Sequence, residues 1–91
     1  MTERHLTTTY HIDEAHGYVT TTLTLLRELG IENDISQFSY QDGEKVYLEE
    51  DCDLARFTKA LTANNIIYTF EEKVHYDRCF VRSLPRYRVG A

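Results

Sequence analysis

The sequence predicts an α+β domain of the ferredoxin-like type, a βαββαβ sandwich with two helices on one face of an antiparallel sheet. Stretches in which apolar and polar residues alternate are interleaved with stretches of helical periodicity, and an extra strand is predicted at the C-terminal end. The length of 91 residues suits one domain with one core. We therefore expect a single α+β domain over residues 1–91, with residues 85–91 as a candidate flexible tail.

The first predicted strand is HLTTTYHI, in which successive side chains point to opposite faces. One face carries Leu6, Thr8, Tyr10 and Ile12, and the other carries His5, Thr7, Thr9 and His11.

The next segment, DEAHGYVTTTLTLLRELG, has two interpretations. A helix could be capped by Asp13 and end before Gly30. The β-branched run from Val19 to Thr24 favours instead a strand that follows a turn at DEAHG. We favour the helix, because the hairpin leaves LLRELG without a role.

The segment DISQFSYQDGEKVYLEE predicts a β-hairpin. A three-residue loop, Gln41-Asp42-Gly43, pairs Phe38 with Val46 and gives Gly43 the position that needs a positive φ. This register places one apolar face on Phe38, Tyr40, Val46 and Leu48.

The second helix is predicted over DCDLARFTKALTANN, because Leu54, Phe57 and Leu61 recur at helical spacing. A strand over IIYTFEEKVHY follows, and CFVRSL is expected to form the short extra strand that ends at Pro85.

Charge is unevenly distributed along the chain. Residues 1–72 carry 14 acidic and 5 basic side chains, whereas residues 73–91 carry 1 acidic and 5 basic ones. An acidic body is unsuited to neutralising phosphates, so nucleic acid is not expected as a partner. No apolar run is long enough to span a membrane, no apolar leader is present, and two scattered cysteines suit reduced thiols. The expected location is therefore cytoplasmic.

The cationic, aromatic segment YDRCFVRSLPRYR is the candidate contact surface. Its candidate binding residues are Tyr76, Arg78, Arg82, Arg86, Tyr87 and Arg88. These side chains could pair with the acidic body, for example with the run from Glu49 to Asp53, and so fix the C-terminal segment. They could also contact a protein partner, since arginine and tyrosine are enriched at interface centres. A third use is to hold a small anionic ligand.

Histidines offer a second candidate site. His11 and His75 could converge if the first and last strands are neighbours, and with Glu71 or Cys79 they could bind a transition metal. Solvated surface histidines are the ordinary interpretation, and no metal or cofactor is predicted. A nucleophile–base pair of Cys79 and His75 is disfavoured, because an extended chain would hold them roughly 13 Å apart.

The function expected from these features is that of a non-enzymatic binding module, a small regulator or inhibitor acting through protein–protein contact. Self-association as a homodimer or higher oligomer is expected through an open sheet face or edge. One alternative is a sensor or sequestering protein for a nucleotide or phosphate compound, held by Arg78, Arg82 and Arg86. A second alternative is a metal-assisted enzyme that uses His11 and His75.

Overall fold

In a computed structural model of the protein, residues 3–76 and 79–88 are described. Over these ranges the chain forms a mixed α+β fold with a five-stranded open sheet and two α-helices. In chain order the elements are β1 Arg4–Ile12, β2 Gly17–Thr22, α1 Leu23–Glu28, β3 Tyr40–Asp42, β4 Lys45–Glu49, α2 Leu54–Ala63 and β5 Ile66–Val74. Short 3-10 helices cover Glu32–Asp34 and Phe80–Ser83.

The ferredoxin-like arrangement is not confirmed. The strand order is β3-β4-β2-β1-β5, and β1 pairs with β5 in parallel while the other pairs are antiparallel. The predicted helix between the first two strands is wrong over Gly17–Thr22, which form β2 in a hairpin with β1. Only Leu23–Glu28 (LTLLRE) are helical, as α1.

The hairpin forms because Asp13 caps a turn and not a helix. Its Oδ1 accepts hydrogen bonds from the backbone N–H groups of Ala15 and His16, both at 2.9 Å. The β-branched residues after Gly17 then extend as a strand. Helix α1 begins directly after β2, where the side chain of Thr22 accepts a hydrogen bond from the N–H of Leu25 at 3.1 Å.

The predicted three-residue loop of the β3–β4 hairpin is also wrong. Tyr40 pairs with Tyr47 and Asp42 with Lys45, which leaves a two-residue loop of Gly43 and Glu44. Gly43 has φ 59° at the first loop position, where a tight hairpin turn favours glycine. Val46 lies in the main core, on the face of the sheet that the helices cover and which we call the helix-side core. Tyr40 and Tyr47 belong to a cluster on the opposite face.

The main core lies between the sheet and the two helices. Its buried residues are Val19, Leu26, Ile35, Val46, Leu48, Phe57, Leu61, Ile66 and Tyr87. Helix α2 follows the predicted periodicity, since Phe57 and Leu61 are both buried. It ends near Asn65, which takes the left-handed conformation with φ 58°.

The opposite face carries a smaller apolar cluster beneath the C-terminal segment, which we define as residues 79–88. Tyr18, Tyr40 and Tyr47 from the sheet pack there against Cys79 and Val81. The predicted extra strand over CFVRSL is instead the 3-10 helix Phe80–Ser83 and its flanks.

The C-terminal segment then reaches the outer edge of β3. The N–H of Gln41 donates to the carbonyl of Pro85 at 2.9 Å, and the N–H of Tyr87 donates to the carbonyl of Ser39 at 2.8 Å. Pro85 and Tyr87 of the predicted tail are thus hydrogen-bonded to the β3 edge, while residues 89–91 of that tail lie outside the described residues. The segment covers one edge of the sheet, and β5 forms the other edge.

We expect Gly17→Ala to lower the free energy of unfolding by about 1–3 kcal/mol, the usual range for overpacking. A Cβ at this position would overlap the ring of Tyr10, whose hydroxyl is held by Glu50 at 2.6 Å. Chemical denaturation measures the change. In a Tyr10→Leu background the same substitution should cost less, and equal costs in both backgrounds would contradict the explanation.

Candidate functional site

The structure divides the predicted binding residues of the C-terminal region into exposed and internal groups. Tyr76 is 93% exposed, and Arg88 is also exposed. Arg78 lies outside the described residues. Arg82, Arg86 and Tyr87 all contact the body of the domain.

Arg82 forms an ion pair with a buried carboxylate. Its Nε donates to Oδ2 of Asp13 at 3.0 Å, and the Asp13 side chain is 0% exposed. The same Oδ2 accepts a hydrogen bond from the N–H of Cys79 at 3.2 Å. Within the described part of the chain, Arg82 therefore forms an ion pair with Asp13, which lies outside the run from Glu49 to Asp53.

These contacts set the ionisation of Asp13. Burial alone would raise the pKa of its carboxyl group, but hydrogen bonds from Arg82 and from the N–H groups of Ala15, His16 and Cys79 outweigh burial. The net effect holds the pKa of Asp13 well below its usual range, so the group is a carboxylate throughout the physiological range.

Arg86 and Tyr87 fix the distal part of the C-terminal segment. The Arg86 guanidinium carbon lies 4.9 Å from the ring centroid of Tyr40, within the range of a cation–π contact. Tyr87 is 3% exposed, and its hydroxyl donates to the carbonyl of Glu32 at 2.5 Å. Tyr87 is thus a core residue and not a surface anchor.

A cavity of about 480 Å³ lies beside Arg82 and Arg86. Its lining residues are His16, Tyr18, Phe38, Tyr40, Glu49, Asp51, Cys52, Arg82 and Arg86. Glu49 and Asp51 bring negative charge into the cavity, and Nδ1 of His16 lies 3.5 Å from Oε1 of Glu49. A cavity of mixed charge is a poor anion site, because the carboxylates repel the ligand that the arginines would attract.

The predicted convergence of His11 and His75 is present. The parallel pairing of β1 with β5 brings the ends of both strands together, and Nδ1 of His11 lies 3.0 Å from Nε2 of His75. Cys79 joins them, since one ligand atom from each of the three residues lies within 4.8 Å of the others. His75 and Cys79 therefore lie much closer together than the roughly 13 Å that an extended chain would impose.

The surroundings of this group are largely apolar. The rings of Tyr47 and Phe80 lie 5.9 and 5.3 Å from that of His11, between ring centroids. Burial lowers the pKa of His11, and His75 and Lys73 add to the effect. Burial raises the pKa of the Cys79 thiol, which is 0% exposed. The two groups are therefore held in their neutral forms at neutral pH.

Strand β5 is a third feature, and sequence reasoning did not single it out. It has nine residues at the edge of the sheet, and all but Ile66 and Phe70 are exposed. Its apolar residues Ile67, Tyr68 and Val74 are among the exposed ones. The alternation in IIYTFEEKV identified the strand, but its edge position depends on long-range pairing that alternation does not specify.

Comparisons with protein family models, with curated proteins and with solved structures find no match. Within the described ranges, neither helix is long and apolar enough to cross a membrane.

We expect Tyr87→Ala to lower the free energy of unfolding by about 3–4 kcal/mol, because it leaves a cavity in the helix-side core. Tyr76→Ala removes the same side chain from an exposed position and is the matched control. Chemical denaturation of both variants distinguishes a core tyrosine from a surface one. A small and equal effect for the two would contradict the docked position of the C-terminal segment.

We expect Asp13→Asn to lower the free energy of unfolding at neutral pH by about 2 kcal/mol, because Arg82 loses its charged partner. Because the folded-state pKa of Asp13 is lowered, its contribution is present above the unfolded value of about 4 and is lost as pH falls through the folded value. The difference between wild type and variant should thus shrink in acid. Urea denaturation over a pH series measures it, with the exposed Asp42→Asn as control. A pH-independent difference would contradict the ion-pair explanation.

Proposed function

We propose that the protein is a non-enzymatic binding module that acts as a small regulator or inhibitor through protein–protein contact, and that it self-associates as a homodimer through β5. The observation that supports this is the nine-residue edge strand, whose outer side pairs with no strand among residues 3–76 and 79–88. Unpaired backbone groups along such an edge are a template for another strand.

The orientation of the backbone groups follows from one hydrogen bond. The N–H of His75 donates to the carbonyl of Ile12 at 2.7 Å, so odd-numbered residues of this stretch direct their backbone groups toward β1. The even-numbered residues direct theirs outward, and these are Ile66, Tyr68, Phe70, Glu72 and Val74. An incoming strand would bond to this set.

A second copy of the chain fits this edge in an antiparallel arrangement centred on Phe70. A two-fold axis there places Phe70 opposite its own copy and uses the whole length of the strand. The remaining opposed pairs are Ile66 with Val74, Ile67 with Lys73, Tyr68 with Glu72, and Thr69 with Glu71. In this register no two like charges face each other directly, and apolar residues oppose apolar ones at the centre and ends.

Other registers are less favourable. A two-fold axis between Glu71 and Glu72 would place Glu71 of each copy opposite Glu72 of the other, so that two pairs of carboxylates face each other. An axis at Glu71 would place the Glu71 carboxylates of the two copies opposite each other. The opposite edge of the sheet does not compete, because the C-terminal segment covers β3. Within the described ranges, the sheet therefore has one edge at which self-association adds backbone hydrogen bonds.

The regulatory role follows from the same edge. An extended segment of a partner protein would form the same ladder as the second copy, so partner binding and self-association would compete. The dimer would then be the resting form, and its dissociation would expose the binding strand. The cytoplasmic location expected from the sequence remains a prediction.

The geometry supports the anion sensor less well. Arg82 is engaged by Asp13 and Arg86 lies over Tyr40, while carboxylates line the cavity between them. A ligand would have to compete with these internal contacts.

We expect Thr69→Glu to weaken the dimer by roughly two- to thirtyfold, because the introduced carboxylate faces that of Glu71 at both symmetry-related positions. Thr69→Lys is the matched control, since the same exposed position would then oppose Glu71 with a cation. Sedimentation velocity over a concentration series measures the dissociation constants. Equal effects of the two substitutions would contradict the register, and a wild-type chain that stays monomeric would contradict self-association.

A further inference from the structure

His11, His75 and Cys79 come from three separate parts of the chain and meet on one face of the sheet. His11 lies near the end of β1, His75 follows β5, and Cys79 begins the C-terminal segment. Nδ1 of His11 and Nε2 of His75 are 3.0 Å apart, and all three ligand atoms lie within 4.8 Å of one another. We propose that these three side chains bind a transition-metal ion, Zn²⁺ in the first instance, through two imidazole nitrogens and one thiolate sulfur.

The separations suit a metal ion. With Zn–N distances of about 2.0–2.1 Å and a Zn–S distance of about 2.3 Å, neighbouring ligand atoms of a tetrahedral site lie about 3.3–3.7 Å apart. The observed values, 3.0 Å for the two nitrogens and at most 4.8 Å within the group, bracket that range. Small side-chain rotations would bring the three atoms onto one ion.

The ligand types select the class of metal. Imidazole and thiolate favour zinc and copper, whereas magnesium and calcium prefer carboxylate, carbonyl and water oxygens. Cys79 is one of the two outside ligands that the sequence offered, and the alternative was Glu71. Three protein ligands leave the fourth tetrahedral position to water or a further ligand. An open position is also what a metal-assisted enzyme, the second alternative drawn from the sequence, would require.

Two other uses of the group are less consistent with its surroundings. A reactive cysteine needs a lowered pKa and access for its substrate, but the Cys79 thiol is buried and burial raises its pKa. A hydrogen bond between the imidazoles of His11 and His75 explains the short distance between their nitrogens. It does not explain why the sulfur of Cys79 lies beside them. Metal binding uses all three, since the ion displaces the thiol proton to solvent and binds the resulting thiolate.

Binding would join β1, β5 and the C-terminal segment at one point. The ion would therefore hold the C-terminal segment on the face of the sheet that carries Tyr18, Tyr40 and Tyr47. It would add to the ion pair between Asp13 and Arg82, which holds the same segment. This inference does not depend on self-association, because the three side chains belong to one copy of the chain.

The test is a titration of the untagged, reduced and chelator-treated protein with Co²⁺, a spectroscopic substitute for Zn²⁺. We expect one equivalent to bind, with visible absorption typical of four-coordinate cobalt and a near-ultraviolet band from thiolate-to-cobalt charge transfer. Added Zn²⁺ should abolish both bands and raise the melting temperature. Absence of the charge-transfer band at saturating Co²⁺ would overturn the proposal.

Variants assign the ligands. Cys79→Ser should remove the charge-transfer band, and His75→Gln should weaken Co²⁺ binding by about tenfold or more. Cys52→Ser and His5→Gln change an exposed cysteine and an exposed histidine outside the group, and should leave the spectrum unchanged.

The assignment stays testable if the buried Cys79→Ser variant does not fold, because His75 is less buried and its variant decides the result. Wild-type affinity in folded His75→Gln would overturn the proposal. So would loss of the charge-transfer band in Cys52→Ser.

Discussion

The carboxylate of Asp13 is the contact on which the arrangement of the chain depends. One oxygen shapes the turn between β1 and β2, and the other binds the N–H of Cys79 and the guanidinium of Arg82. A buried charge requires this number of partners, because without them desolvation would favour the neutral acid. Since the partners come from both ends of the sequence, one side chain links the first hairpin to the C-terminal segment.

That link determines which face and which edge of the sheet the C-terminal segment covers. Once Arg82 and Cys79 are held at Asp13, Val81 covers the tyrosine cluster and Tyr87 reaches the helix-side core. The segment then closes the β3 edge through Gln41. Only β5 keeps an edge without a strand beside it within the described part of the chain, which is why the proposed dimer uses β5.

Local pattern in the sequence predicted part of this fold. Alternation identified β1 and β5, and helical spacing identified α2, in which Phe57 and Leu61 face the core. The segment DEAHGYVTTTLTLLRELG was assigned to one helix because a hairpin left LLRELG without a role, but the β-branched residues before Leu23 form a strand. The error in the hairpin register arose because Tyr40 was placed on the helix-side face, whereas it packs with Tyr18 under the C-terminal segment. That segment is remote in sequence, so no local pattern could reveal it.

The candidate sites were predictable to different degrees. Convergence of His11 and His75 followed from placing the first and last strands side by side, which holds even though the fold differs from the one expected. The internal roles of Arg82 and Tyr87 could not be predicted from the sequence. An arginine or tyrosine in a short segment has the same composition whether its side chain lies at the surface or inside the domain. The acidic run near α2 illustrates the same limit, since Asp53 is buried and accepts hydrogen bonds from the hydroxyl groups of Ser36 and Ser39.

The position of the C-terminal segment has a consequence for synthesis of the chain. Every described strand precedes residues 79–88 in sequence, so the ribosome synthesises all of these strands before the segment that covers one face and one edge of the sheet. Until those residues dock, the cluster of Tyr18, Tyr40 and Tyr47 and the edge of β3 are open to other chains. Correct pairing at the β3 edge then requires the C-terminal segment to dock before a strand of another chain binds there.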